Sequence, residues 1–413
     1  MATTTLDRTT QTAVDWNAVR AQFDRLDTSI IQLGTSQFFA SHPRPVREAI
    51  EKHQRELDAS PALYILDHEQ EYAQNARKAV ARYMGMDKQD DIALTDSTTM
   101  GLGTIYTGLN IQKGQEILTS EQNYYCQQEA IKRASERTGA TFREVKYYDN
   151  IHEVTIDEMV HNLIKEVRDN TRVIGTTWVH SSTGLKSPIP QIARELAKIN
   201  KHRDEENKVL LVVDAVHGFG IELETFDELG CDFFITGTHK WLYGPRGTGF
   251  VAAKTSAWQH VKPVIPSFSE VMYHIIKGNQ QPEHVNGHHM SPGGFHTMEH
   301  HFALPDAFEW VESIGKQNIY NRVHELNRLT KEGLASMPHV TLYTPMDDEL
   351  SAGIISFRVD GMSVQDTVKR LRELKVVSTE APYKETYARF TPGIYNTEEE
   401  IARALDAVQS LKH

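Results

Sequence analysis

Cysteine is nearly absent from this chain of 413 residues: only Cys126 and Cys231 occur, too few for a disulfide framework. A reducing compartment is the expectation. Long apolar runs are missing as well. No stretch approaches the roughly 18 consecutive apolar residues of a spanning helix, so a helical membrane anchor is excluded. Positive charge is in deficit, with 44 Lys and Arg against 56 Asp and Glu and a net charge of −12, which suits no phosphate-backbone partner. The opening run Met1-Ala2-Thr3-Thr4-Thr5-Leu6-Asp7-Arg8 has no apolar core. A secretory signal is therefore not expected, and a cytoplasmic location is. Internal repeats and low-complexity segments are likewise missing. What remains is an ordinary globular composition, 39% hydrophobic and 24% charged, over a length that supports two sizeable cores.

The apolar residues that are present fall into short runs. Segments 92–94, 116–118, 173–179, 209–213, 233–235 and 249–253 read as strands, and helix-length segments such as 127–137, 155–168 and 189–200 lie between most of them. Strands alternating with helices predict a mostly parallel sheet covered on both faces. Such a sheet binds ligands at the carboxyl ends of its strands. The charged run 201–208 reads as a solvated helix end. Past about residue 310 the pattern changes to a helix over 304–335, short strands near 340–343 and 354–357, and a helix opened by Ser363. A last helix is expected to start at Asn396 with Glu399 as its capping-box partner. The organisation this predicts is an N-terminal arm over 1–30, a large domain over 31–310 and a small α+β domain over 311–413.

Four features at expected strand ends fit the needs of one cofactor, pyridoxal phosphate (PLP). A phosphate needs hydroxyls and backbone N–H groups at a helix start, and Thr98 and Thr99 in Asp96-Ser97-Thr98-Thr99-Met100-Gly101 offer them. A pyridine nitrogen needs a carboxylate to keep it protonated, and Asp214 ends a buried run. His217, one turn on, offers a donor to the ring oxygen. An aldehyde needs a lysine that can lose its proton, and Lys240 lies in Thr236-Gly237-Thr238-His239-Lys240-Trp241-Leu242-Tyr243-Gly244-Pro245. Each feature alone has a plainer reading: a helix cap, a structural histidine, an exposed lysine. Their joint order favours the cofactor.

The run from Thr238 through Gly249 resembles the lysine motif of class V aminotransferase-like, fold-type I PLP enzymes, and its His-Lys-Trp-Leu variant is most similar to isopenicillin N epimerase-like members. The resemblance covers about residues 30–410. It implies a seven-stranded, mostly parallel sheet domain, a small C-terminal α+β domain and a homodimer with shared active sites. It further implies Lys240 as the Schiff-base lysine, Asp214 as the pyridinium partner, His217 on the ring oxygen, and Thr98, Thr99 and His239 on the phosphate. Arg389, in Ala388-Arg389-Phe390-Thr391-Pro392, matches the motif that holds a substrate carboxylate, as a planar fork can. The loop of Thr183, Gly184 and Leu185 places His180 and Ser181 beside the cofactor. Gln122 stands near the histidine that some relatives stack on the ring, so Tyr124 or Tyr125 is expected to stack instead.

Departures are equally legible. Gly237 replaces a Ser or Asn of relatives, with Thr238 or Thr236 as candidate compensation. In 291–300, His296 or Thr297 is placed to reach across a dimer interface. The segment 284–301 is rich in histidine: His284, His288, His289, His296, His300 and His301. His296 and His300 have metal-ligand spacing if helical. A polar interface segment is the preferred reading, and no metal is assigned. The expected function is PLP-dependent transformation of an amino acid bearing a free α-carboxylate, of aminotransferase or epimerase type. An oxygen-dependent oxidase using His180 is the alternative, and a catalytically silent PLP-fold protein is a third reading. Desulfuration is disfavoured because no cysteine follows Cys231.

Overall fold

The short apolar runs pair as the alternation of strands and helices requires. The computed structural model describes residues 14–34, 38–279 and 285–411. Its central sheet holds seven strands: β1 (Ile92–Thr95), β2 (Glu116–Ser120), β3 (Thr141–Val145), β4 (Thr171–Thr177), β5 (Leu210–Asp214), β6 (Phe233–Gly237) and β7 (Gly249–Ala253). Their spatial order is β1-β7-β6-β5-β4-β2-β3. β7 is antiparallel to both neighbours, and the other pairings are parallel. The remaining six strands therefore point one way, and their carboxyl ends share one edge.

Both faces are covered. Leu211 and Val213 of β5 belong to one apolar cluster, while Leu210 and Val212 belong to the cluster on the opposite face. That is why β5 reads as an unbroken apolar run rather than an alternating one. β3 was not anticipated from sequence. It is an edge strand, and Thr141, Phe142 and Glu144 are exposed on it, so it carries no apolar run to detect.

The C-terminal part builds a four-stranded antiparallel sheet from Thr379–Glu380, Ala388–Phe390, Ile355–Val359 and Val340–Leu342. The expected helix over 304–335 is two helices, Leu304–Ile314 and Lys316–Ala335, broken at Gly315, whose φ of 94° few side chains tolerate. The last helix, Glu398–Gln409, begins later than expected. Thr397 caps it and Glu400, not Glu399, completes the box. Within the expected N-terminal arm, Phe23 is buried against Tyr243, Trp310 and Tyr395. Ile31–Gln32 pairs in parallel with Val376–Val377, and Ile31 and Leu33 join the small apolar core rather than the large one.

The two parts are docked by backbone carbonyls of one loop. The Ser182 carbonyl accepts from Ser356 Oγ at 2.6 Å, the Thr183 carbonyl accepts from Thr344 Oγ1 at 2.5 Å, and the Ser181 carbonyl accepts from the Arg389 guanidinium. Gly184 closes the loop with φ of 74°, and a Cβ there would lie 2.2 Å from the Ile354 carbonyl oxygen. Gly184→Ala therefore meets both backbone strain and a backbone clash. It is expected to cost about 2–4 kcal/mol of stability in denaturant unfolding. An unchanged midpoint would mean that this loop does not carry the docking.

Candidate active site

Register lays the floor of the site. Thr177 at the end of β4 pairs with Asp214 at the end of β5, and Asp214 pairs with Ile235 of β6. The Asp214 carboxylate is buried, and Oδ1 accepts from the Val216 N–H at 3.2 Å. Burial pushes its pKa up to about 6, against the pull of that N–H and of Lys240. A carboxylate so poorly compensated needs a cation.

The turn after β6 supplies one. Thr238 N–H donates to the Thr248 carbonyl at 3.1 Å and Gly244 N–H to the Thr238 carbonyl at 3.0 Å. Tyr243 takes a φ of 57° inside this turn. The closure holds Lys240 with its Nζ 3.0 Å from His217 Nε2. Burial lowers the Lys240 pKa to about 8, with Asp214 opposing. Burial, then the Lys240 charge, drives His217 well down, so its imidazole is neutral. Accepting at Nε2 leaves the ring proton on Nδ1, and that atom is buried with no hydrogen-bond partner among the described residues.

At the other end, Ser97 Oγ accepts from Met100 N–H at 3.1 Å and caps the helix Thr98–Gly108. Thr98 and Thr99 thus occupy its first turn, where backbone N–H groups and the helix dipole favour an anion. Thr98 Oγ1 and His239 Nδ1 are also buried without a partner among the described residues. Gly237 makes their approach feasible: a Cβ there would sit 2.6 Å from His239 Cε1 and 3.2 Å from Thr98 Oγ1. The expected compensation for Gly237 is not seen. Thr238 Oγ1 is bonded to Thr248 and Thr236 Oγ1 donates to the Gly237 carbonyl at 3.0 Å, so both hydroxyls are engaged away from the cavity.

A cavity of about 550 Å³ joins these groups. Of the residues singled out from sequence, Thr98, Thr99, Tyr124, Ser181, Asp214, His217, His239, Lys240 and Arg389 line it. Thr238 and His180 do not. Thr238 is bonded to Thr248. His180 is fully engaged, with Nδ1 3.0 Å from the Gln122 carbonyl and Nε2 3.0 Å from Ser187 Oγ, and burial lowers its pKa to about 4. Its ring is a structural brace beneath the site, which corrects the expectation of a catalytic histidine there. Tyr124 faces the cavity, while Tyr125 is 65% exposed and does not. Sequence reasoning missed Thr177, Cys126, Phe38, Phe39 and Arg246, which also line the cavity. The register of β4 on β5 points to Thr177, and Cys126 follows Tyr124 into a helix start, but nothing in the sequence marks the others.

Arg389 is buried on the cavity wall. Nε donates to Thr379 Oγ1 at 3.3 Å, one terminal nitrogen to the Ser181 carbonyl, and the other to the Glu380 carbonyl at 3.1 Å. These acceptors are neutral and fix the plane of the fork. Nearby, the Glu380 carboxylate accepts from Gln365 and Glu385 pairs with Arg358 at 3.0 Å. Burial lowers the Arg389 pKa to about 10, still charged at neutral pH.

The histidine-rich segment behaves otherwise than its spacing suggested. His296 precedes the helix Met298–Phe302 and shares the Asp96 carboxylate with His301, not His300. His300 Nδ1 meets the Arg246 carbonyl. His296 also bonds the Pro292 carbonyl, so both of its nitrogens are engaged within this chain rather than across an interface. His284 lies outside the described residues.

The sheet order, the lysine turn at its edge and the small antiparallel domain define a class of protein that the comparisons then specify. The class-V aminotransferase family model matches residues 38–403, and the chain belongs to that family. It is 25% identical over 411 residues to isopenicillin N epimerase of Streptomyces clavuligerus, covering 96% of this chain and 98% of the relative. A cysteine desulfurase of Salmonella agona is 25% identical over 304 residues, covering 72% of this chain and 69% of that one. Among solved structures, the cystine C–S lyase C-DES in complex with its reaction product cysteine persulfide superposes with a TM-score of 0.84 at 20% identity, over 94% of this chain and 99% of that one. That likeness concerns the fold.

Asp214 carries a testable linkage. Its folded pKa, raised to about 6, exceeds the unfolded value near 3.9, so its ionisation destabilises the cofactor-free protein. That penalty is absent below the unfolded pKa and complete above the folded one. Cofactor-free Asp214→Asn is thus expected to be more stable than wild type by about 2–3 kcal/mol at pH 8, with the gain vanishing towards pH 4. Thermal melts across that range decide it, and equal stability at pH 8 would mean the carboxylate is not penalised by burial.

Proposed function

We propose that this chain is a PLP-dependent enzyme that transforms an amino acid through its Cα–H bond, in the manner of epimerases and aminotransferases. The observation that carries the reading is a set of buried groups left waiting around one cavity. Asp214 lacks a full counter-charge, Lys240 is desolvated, and Thr98 Oγ1, His217 Nδ1 and His239 Nδ1 have no partner among the described residues. Buried polar atoms are seldom left unpaired, and these fit PLP: hydroxyl and imidazole for a phosphate, imidazole for a ring oxygen, carboxylate for a ring nitrogen.

When bound, PLP supplies an aldehyde that takes up an amine and a ring that stabilises electrons released at Cα. Thr98, Thr99 and His239 would hold the phosphate end, and Asp214 would keep a proton on the ring nitrogen. His217 Nδ1 would donate to the ring oxygen. Lys240 is the covalent anchor and, as a free amine, the base. A pKa near 8 lets Nζ give up or take a proton close to neutral pH, and His217 Nε2, 3.0 Å away, keeps it oriented. Arg389 binds the substrate carboxylate, as a buried guanidinium on the cavity wall whose plane is fixed by the small domain. Cysteine chemistry is disfavoured. Cys231 is buried, and burial raises the Cys126 thiol to about 12, far from a thiolate nucleophile. The oxygen-dependent alternative drew on His180 as a proton donor, and a ring bonded at both nitrogens lends it no support.

The assembly we propose is a homodimer. Phe38 and Phe39 line the cavity yet are 66% and 50% exposed, and Leu66, Phe268, Ile276 and Phe295 are exposed as well. Large apolar groups left open on the surface, two of them on the cavity lining, favour a second copy as their cover.

Two variants test the reading. Lys240→Ala is expected to lose the borohydride-reducible link to PLP and all but a trace of turnover while keeping its fold by circular dichroism. A reducible link surviving at another lysine would sink the assignment. Arg389→Ala is expected to weaken amino-acid binding by about 2–5 kcal/mol, with Arg389→Lys restoring part of it. Undiminished affinity in titrations followed by cofactor absorbance would make Arg389 a docking residue only.

A further inference from the structure

We propose that Asp96, His296 and His301 form a binding site for one divalent first-row transition ion, of the class that prefers imidazole over all-oxygen ligands. This departs from the sequence reading, which assigned no metal to the histidine-rich segment.

Three donors from separate parts of the chain converge. Asp96 follows β1, His296 sits in the turn after Gly294, and His301 lies on the helix Met298–Phe302. One ligand atom from each lies within 4.8 Å of the other two. His296 Nδ1 is 2.7 Å and His301 Nε2 3.0 Å from the same Asp96 Oδ1. Donor atoms around a bound ion, each about 2.0–2.2 Å from it, lie roughly 3 Å or slightly more apart, so a small opening of the cluster admits the ion. Two imidazoles and one carboxylate are a sufficient protein ligand set for zinc or ferrous iron, and leave positions open. Magnesium and calcium favour oxygen donors and fit poorly.

The surroundings support ligation. His296 Nε2 lies 2.9 Å from the Pro292 carbonyl. A proton held there by the carbonyl fixes the ring and leaves Nδ1 as a lone-pair donor, the outer support that metal-bound histidines usually have. Asp96 lines the cofactor cavity, while His296 and His301 line a separate cavity of about 960 Å³. The three residues thus form the wall between the two spaces, and water can reach open coordination positions from the larger one. An ion there would clamp segment 296–301 to the residue just before Ser97, the cap of the helix whose first turn faces the proposed phosphate site. The alternative is a metal-free cluster in which both rings donate to one carboxylate.

Metal content separates the two, and it is independent of the PLP assignment because it does not read turnover. Holoenzyme stripped with a chelator is dialysed against Zn²⁺ or Co²⁺, passed through gel filtration and analysed by mass spectrometry. The expected result is one ion per chain, visible d–d bands in the Co²⁺ form and their loss when Zn²⁺ competes. H296Q and H301Q should each lower the affinity roughly tenfold or more. X-ray absorption of wild-type Zn²⁺ protein should show two imidazoles, oxygen ligands and no sulfur, which tests the ligand set even if a variant fails to fold. Wild-type protein that retains no stoichiometric Zn²⁺ or Co²⁺ overturns the proposal. So does undiminished retention in the H296Q/H301Q double variant.

Discussion

The site depends on one constraint, the common direction of six strands. Because β1 through β6 all end at one edge, residues far apart in sequence arrive together: Asp96 and Ser97 after β1, Thr177 and Asp214 side by side on β4 and β5, and Lys240 after β6. Parallel strands are buried on both faces, and their carboxyl ends open into a crevice. Burial there gives Asp214 and Lys240 their displaced pKa values. In an exposed turn the same two side chains would be an ordinary acid and an ordinary base. Here burial raises one and lowers the other, and each becomes responsive near neutral pH.

A second constraint joins the domains to this edge. The loop after β4 presents three successive carbonyls, of Ser181, Ser182 and Thr183, to Arg389, Ser356 and Thr344. Docking and the proposed substrate recognition therefore share a residue. The bond that fixes the guanidinium also reports the position of the small domain, so Arg389 cannot reach its proposed carboxylate unless the domains are seated. Ser181 is tied in through its hydroxyl as well, 2.7 Å from that of Tyr383.

Much of this was legible in the sequence where burial and chemistry leave a mark. Strands β1, β2, β4, β5, β6 and β7 announce themselves as apolar runs, and the lysine turn does so through its Gly-Pro and its neighbours. What stayed hidden has a physical reason in each case. β3 is a polar edge strand. The break at Gly315 lies within apolar periodicity that continues on either side. His180 looked catalytic because of its proximity to Ser181, but a turn begins between them, and the histidine points to Gln122 and Ser187. Thr238 too was misjudged, since it faces inward to Thr248. His296 and His301, five apart and not on a common helix, meet because His296 lies in the loop that leads into the helix, a relation no periodicity reveals.

Family membership narrows what remains to be explained. Relatives of this chain are named as an epimerase and as a cysteine desulfurase, so membership of the family does not by itself choose the reaction. What is particular to this chain must then be sought in the cavity wall beyond Lys240, Asp214 and His217. In this chain that wall offers Tyr124, a protonated Cys126, two exposed phenylalanines and Arg246, whose guanidinium lies 4.6 Å from the centre of the Phe39 ring. A guanidinium over an aromatic face is held without being neutralised. Under the proposed function, reaction choice turns on which face of the substrate this wall leaves open to a second proton donor. Strand register brings together the groups proposed to hold the cofactor, while the groups that would choose the reaction stand at the rim of the same cavity.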